Sequence, residues 1–107
     1  MSRSRRRRAS PRFDPSDSMY DAPVVRELDL HGHTAGDADR FVRIFLETWR
    51  GRARGSVVHI ITGRGKNSAG GPVLKPLVAA LLRRELSHLV AEWCPDLDEG
   101  GYLVRLR

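Results

Sequence analysis

Leu28-Asp29-Leu30-His31-Gly32, read together with Thr62-Gly63-Arg64-Gly65-Lys66, decides how this chain folds. Each segment follows a run that reads as a buried strand, and each precedes a helical pattern. Val24 to Leu30 alternates at its end as a first strand does. Ser56-Val57-Val58-His59-Ile60-Ile61-Thr62 is a β-branched run suited to a parallel strand covered on both faces or nearly so. Between them, Thr34 offers an N-cap hydroxyl with Asp37 three residues on, a variant of the capping box. Ala38, Phe41, Val42, Phe45, Leu46 and Trp49 then recur at helical spacing to about Arg50.

Beyond the glycine loop at 63–71, which ends at Pro72, residues Leu74, Leu77, Val78, Leu81, Leu82 and Leu86 mark a second amphipathic helix. Pro76 is accommodated there if regular hydrogen bonding begins near Leu74. His88 to Cys94 reads as a third strand and Tyr102 to Leu106 as a fourth, separated by Pro95 to Gly101. The order βαβαββ predicts an α/β two-layer sandwich, a four-stranded mixed sheet with two helices. Loops at the carboxyl ends of neighbouring parallel strands face one crevice, where open α/β sheets place their sites.

The chain has 107 residues and a formal net charge of +6, enough for one small domain. Residues 1–12 hold six arginines, Arg5, Arg6, Arg7 and Arg8 among them, and no acid, whereas residues 13–107 balance thirteen Lys/Arg against thirteen Asp/Glu. Residues 1–21 are therefore expected to be a disordered basic arm, with the domain at 22–107. The arm reads either as a phosphate binder acting through counterion release or as a solubilising tail. One cysteine, Cys94, excludes an internal disulfide framework and suits a cytoplasmic protein. No apolar run approaches a membrane span, and the start lacks the apolar core of a secretory signal, so no membrane partner is expected.

His31 is the leading chemical candidate, because a neutral imidazole accepts a proton near pH 7 and Gly32 allows a sharp exit that leaves the ring exposed. Asp29, two residues earlier on the same face, would orient that ring and compensate its charge. The competing reading is a strand-end histidine satisfied by backbone, with Asp29 capping a turn. The Gly63–Ser68 stretch fails as a Walker A loop, since Ile60 stands at the first glycine position and Asn67 at the Ser/Thr position. It fails as a dinucleotide fingerprint at Ser68. What survives is a glycine loop before a helix, either a mobile connector or an anion cradle, with Arg64 and Lys66 favouring phosphate. His33, His59, His88 and Cys94 match no zinc spacing. His59, Trp49 and Trp93 are expected to pack.

Leu28-Asp29-Leu30-His31-Gly32, the Ile-Ile-Thr-Gly-Arg-Gly loop, Pro-Val-Leu-Lys at a helix start and the final Gly-Gly-Tyr-Leu-Val-Arg-Leu together resemble the Smr (small MutS-related) domain. The resemblance covers about residues 24 to 107 and suggests a stand-alone small Smr protein. It implies a fold similar to the C-terminal domain of translation initiation factor 3, binding to DNA or RNA, and the nicking or RNA-cleaving endonuclease activity of many members. The first family motif falls on Leu28 to Gly32. The second, often His-Gly-x-Gly, falls on Thr62, Gly63, Arg64 and Gly65, with threonine in place of histidine.

The expected function is thus a nucleic-acid endonuclease. His31 and Asp29 are the catalytic pair, and Thr62, Gly63, Arg64, Gly65, Lys66 and Ser68 contact phosphate along with Arg5 to Arg8. No cofactor and no resident metal are expected, although a divalent ion such as Mg is compatible with cleavage of DNA. The alternatives are a non-catalytic DNA- or RNA-binding module and an adaptor on a ribosome or DNA-repair complex.

Overall fold

Strand β1 (Val24–Asp29), helix α1 (Ala35–Arg52), strand β2 (Val57–Ile61), helix α2 (Gly71–Arg83), strand β3 (Val90–Pro95) and strand β4 (Gly101–Leu106) follow one another in the expected order. The computed structural model describes residues 18–63 and 71–107. The Arg-rich arm through residue 17, and with it Arg5, Arg6, Arg7 and Arg8, lies outside the described residues. So do Arg64, Gly65, Lys66 and Ser68 of the glycine loop.

The sheet runs β1-β2-β4-β3. Strands β1 and β2 are parallel, and β4 pairs antiparallel with both β2 and β3. Both helices pack on one face of the sheet in a shared core. Val58 and Ile60 of β2 and Val104 and Leu106 of β4 alternate toward that layer, where they join Val42 and Leu46 of α1 and Val78 and Leu82 of α2 in one core. The intervening residues Val57 and Leu103 point the other way and are covered by Met19, with Ala22 and Cys94 packed alongside. The packed chain therefore begins before residue 22, and the segment around Met19 belongs to the domain rather than to the arm. Buried on the same face is Arg105, which donates from Nε to Glu92 Oε2 at 3.0 Å and from Nη1 to the Gly55 carbonyl at 3.2 Å.

Local departures from the sequence reading have local causes. Thr34 caps α1 as expected, accepting from the Asp37 N–H at 3.2 Å, but the Asp37 carboxylate pairs with Arg40 at 2.6 Å instead of closing the box. Helix α2 begins at Gly71 and passes through Pro76 in its second turn. There the missing N–H and the ring conflict reach back only to the first-turn residue Pro72. His88 lies in a 3-10 turn at Ser87–Leu89, and β3 starts after it at Val90. Trp93 packs edge-on to Tyr102, centroids 5.4 Å apart, as a half-buried strand residue.

Candidate functional site

The ends of β1 and β2 carry the two motifs, and a short chain of backbone bonds joins them. The Leu30 N–H donates to the Ile61 carbonyl at 2.7 Å, extending the parallel pairing by one residue. Leu30 to His33 then closes a turn, with the His33 N–H on the Leu30 carbonyl at 2.9 Å and Gly32 at φ +87°. A positive φ at the third turn position demands glycine or asparagine, which explains the residue after His31. The Asp29 carboxylate stabilises the same turn by accepting the His31 N–H at 3.0 Å.

The structure shows the turn-capping role of Asp29 and places its carboxylate beside the His31 ring. Asp29 caps the turn, and the same oxygen lies 3.9 Å from His31 Nδ1, with the two side chains 60% and 68% exposed. That separation exceeds a hydrogen bond but places a carboxylate where charge on a protonated ring is compensated. His33 is not part of this pair; its ring packs edge-on against Phe41, centroids 5.2 Å apart.

Across the crevice, Gly63 adopts φ +84°, and a Cβ built on it would lie 3.7 Å from His31 Cβ. The start of the glycine loop and the histidine are therefore in direct apposition. The preceding Thr62 is fully buried, and its hydroxyl hydrogen is shared between the carbonyls of Gly63 at 2.9 Å and Gly100 at 3.2 Å. The expectation of a phosphate contact from the Thr62 hydroxyl is corrected by this geometry, since a hydroxyl has one proton and both acceptors lie inside the protein. Thr62 positions the loop. Its N–H and that of Gly63 also donate to Gly100, at 2.8 and 3.0 Å, so one carbonyl of the β3–β4 connection sets where the glycine loop begins.

That connection has its own anchor, which the linear reading missed. Asp96 Oδ1 accepts the Gly100 N–H at 3.0 Å, and Asp96 Oδ2 meets His59 Nε2 at 2.7 Å. The other nitrogen of His59 faces Glu27 Oε2 at 3.3 Å. His59 was expected to pack, and it is largely buried at 19% exposure, but between two carboxylates. Glu27 and His59 are register partners on β1 and β2, so strand alternation could have revealed that half of the cluster. Asp96 reaches it from 37 residues away through the hairpin, for which the sequence carries no periodic signal.

Burial pushes the Asp96 carboxyl up, but hydrogen bonds from His59, Gly100 and Glu99 outweigh it and hold the group below its ordinary value. A carboxyl lowered by folding stabilises the native state fully above its unfolded pKa, and that contribution is lost as pH falls through the folded value. Unfolding in urea should therefore show stability declining from about pH 4 downward. Asp96→Asn, which keeps the Oδ1 acceptor for Gly100, should flatten that decline. An equally steep acid loss in the variant would remove Asp96 as its source.

Lys75 at the start of α2 donates to the Glu99 carbonyl at 2.5 Å, and its own carbonyl accepts the Tyr102 hydroxyl at 3.2 Å, which ties helix, hairpin and loop together. Among the described residues no group of three His, Cys, Asp or Glu side chains is arranged to hold a metal ion. No described helix is long and apolar enough to cross a membrane.

No individual curated protein matches this chain significantly. The Smr domain family model matches residues 28–104, from the first residue of the Leu28–Gly32 motif to the middle of β4. With the Leu28–Gly32 motif at the end of β1, and Thr62 and Gly63 following β2, on a βαβαββ sandwich matched over residues 28–104, the chain belongs to the Smr domain family, a family of nucleic-acid-binding domains.

Proposed function

We propose that the domain is a nucleic-acid endonuclease in which His31 moves the proton and the glycine loop receives the phosphate. The observation that carries this reading is the apposition of His31 with Gly63, at 3.7 Å for the built Cβ. It puts an exposed imidazole beside a backbone whose left-handed conformation leaves room for close approach by an anion. On RNA, His31 accepts the 2′-hydroxyl proton as O2′ attacks phosphorus, the bond to the 5′ oxygen breaks, and a 2′,3′-cyclic phosphate forms. The departing 5′ oxygen takes its proton from water as the bond breaks, and the ring then returns the proton it accepted to solvent. Asp29 holds the turn that presents the ring and compensates the charge it acquires.

Arg64 and Lys66 are assigned to the phosphate by position in the loop and supply the electrostatic stabilisation that dominates such chemistry. DNA offers no internal nucleophile, so its cleavage requires an activated water. Asp29 is the carboxylate nearest the histidine that would meet a Mg ion brought in with that substrate.

End-labelled RNA and DNA, single- and double-stranded, incubated with the full chain in EDTA and then in Mg, test this directly. Cutting of RNA in EDTA with cyclic phosphate ends supports the His31 route. Cutting only in Mg moves the chemistry to a metal-held water. Binding without cutting under either condition leaves the domain a non-catalytic DNA- or RNA-binding module, with threonine at position 62 in place of the family's second histidine.

A further inference from the structure

The described residues distribute charge unevenly along the sheet. At the site end Asp29, Asp98 and Glu99 are exposed, and the ammonium of Lys75 is held by the Glu99 carbonyl. Along the first half of α1, Arg40 and Arg43 are paired with Asp37 and Asp39, both at 2.6 Å. A polyanion thus finds few open cations near His31 among the described residues.

The opposite end differs. Arg26 near the start of β1, Arg52 at the end of α1 and Arg54 in the following turn are exposed. None of the three forms an ion pair with a described carboxylate. Arg26 and Arg52 both lie over the half-buried Trp49 ring, their Cζ atoms 4.5 and 5.6 Å from its centroid. Arg54 lines a hollow of about 310 Å³ together with Gly55, Ala91, Leu106 and Arg107.

Stacking on indole restrains a guanidinium while leaving its N–H edge open, so less freedom is lost when an anion binds. The ring faces are occupied by the arginines, which removes Trp49 as the apolar anchor a protein partner would need. Exposed arginines with no ion pair to a described side-chain carboxylate are cations that a phosphate backbone neutralises.

We propose that Arg26 and Arg52, both over Trp49, together with Arg54 two residues further on, form a second phosphate-backbone site that anchors nucleic acid at a distance from the cutting point. The proposal rests on the nucleic-acid reading given above and adds where the substrate extends. Arg26 precedes His31 by five residues of extended chain, about 17 Å. The 18-residue α1 separates Arg52 from the site end by about 27 Å. At a rise of about 3.4 Å per base pair, these spans correspond to about five to eight base pairs of duplex.

The test measures binding of the full chain to fluorescent 16-base-pair RNA and DNA duplexes across salt. It compares the wild type, the triple variant Arg26→Gln/Arg52→Gln/Arg54→Gln, and Arg84→Gln, an exposed arginine beyond the end of α2, as control. Because the basic arm is present in all three proteins, its contribution cancels. Losing three phosphate contacts should lower the log–log salt slope by nearly three, so that from 50 to 200 mM salt the wild type loses about 40-fold more affinity than the triple variant. The control should match the wild type.

An unchanged slope and affinity in a triple variant with a normal thermal melt would overturn the second site while leaving the proposed function intact. Unchanged nucleic-acid binding combined with weakened capture of phosphatidylserine vesicles would also overturn it and assign the patch to a lipid surface. A wild type that binds neither duplex would overturn the site together with the nucleic-acid reading beneath it.

Discussion

Replacing Gly101 by alanine is expected to destabilise the domain by more than about 3 kcal/mol, beyond the usual range for an added methyl in a packed interior. Gly101 opposes Ile61 where β4 pairs with β2. A Cβ at this position would lie 2.1 Å from the Ile60 carbonyl oxygen and 2.9 Å from the Ile61 Cα. Both are backbone atoms of a strand held on either side, by β1 and by β4, so neither can swing away as the end of a side chain would. The strand would have to separate at the point where Thr62 and Gly63 leave for the site, and binding should fall with stability. Gly100→Ala is the matched control, because a Cβ there meets nothing within 4 Å. Urea unfolding of the two variants should differ by several kcal/mol. A Gly101→Ala midpoint close to that of Gly100→Ala would show that the strands adjust more easily than this packing implies.

His31→Ala should leave stability nearly unchanged and lower cleavage by about 10²- to 10⁴-fold, the usual contribution of a general acid or base. The ring is 68% exposed, so its removal buries no cavity, and the turn is held by the main-chain N–H of residue 31, which alanine retains. Asp29 separates its two roles by substitution. Asp29→Asn keeps an oxygen for the His31 N–H but removes the charge 3.9 Å from Nδ1, and should cost activity with little change in thermal melt. Asp29→Ala removes the turn contact as well and should lower both. Initial rates on end-labelled substrate, with duplex affinity measured in parallel, distinguish chemistry from binding. Equal residual cutting by wild type and His31→Ala would remove His31 from the mechanism.

The element order was legible because each element carried its own periodic signal. The apolar stripes from Ala38 to Trp49 and from Leu74 to Leu82 mark helices, and the β-branched run from Val57 to Ile61 marks a strand between layers. Where the signal was weak the reading slipped, as at His88, where a short 3-10 turn precedes β3. Met19 gave no periodic cue either, since its burial depends on Val57 and Leu103, which are remote in sequence.

By itself the sequence determined the βαβαββ order, the family motif from Leu28 to Gly32, and the presence of His31 and the glycine loop at the ends of two adjacent strands. Only the tertiary structure decided what those residues face. It turned the Thr62 hydroxyl inward to the Gly100 carbonyl, gathered Glu27, His59 and Asp96 from three parts of the chain, and set Arg26 and Arg52 over one indole. The physical reason is the range of the forces involved. Periodic burial and turn chemistry act over a few neighbours and leave a local imprint, whereas hydrogen bonds and charge pairs across a sheet depend on register and on a hairpin closing tens of residues away.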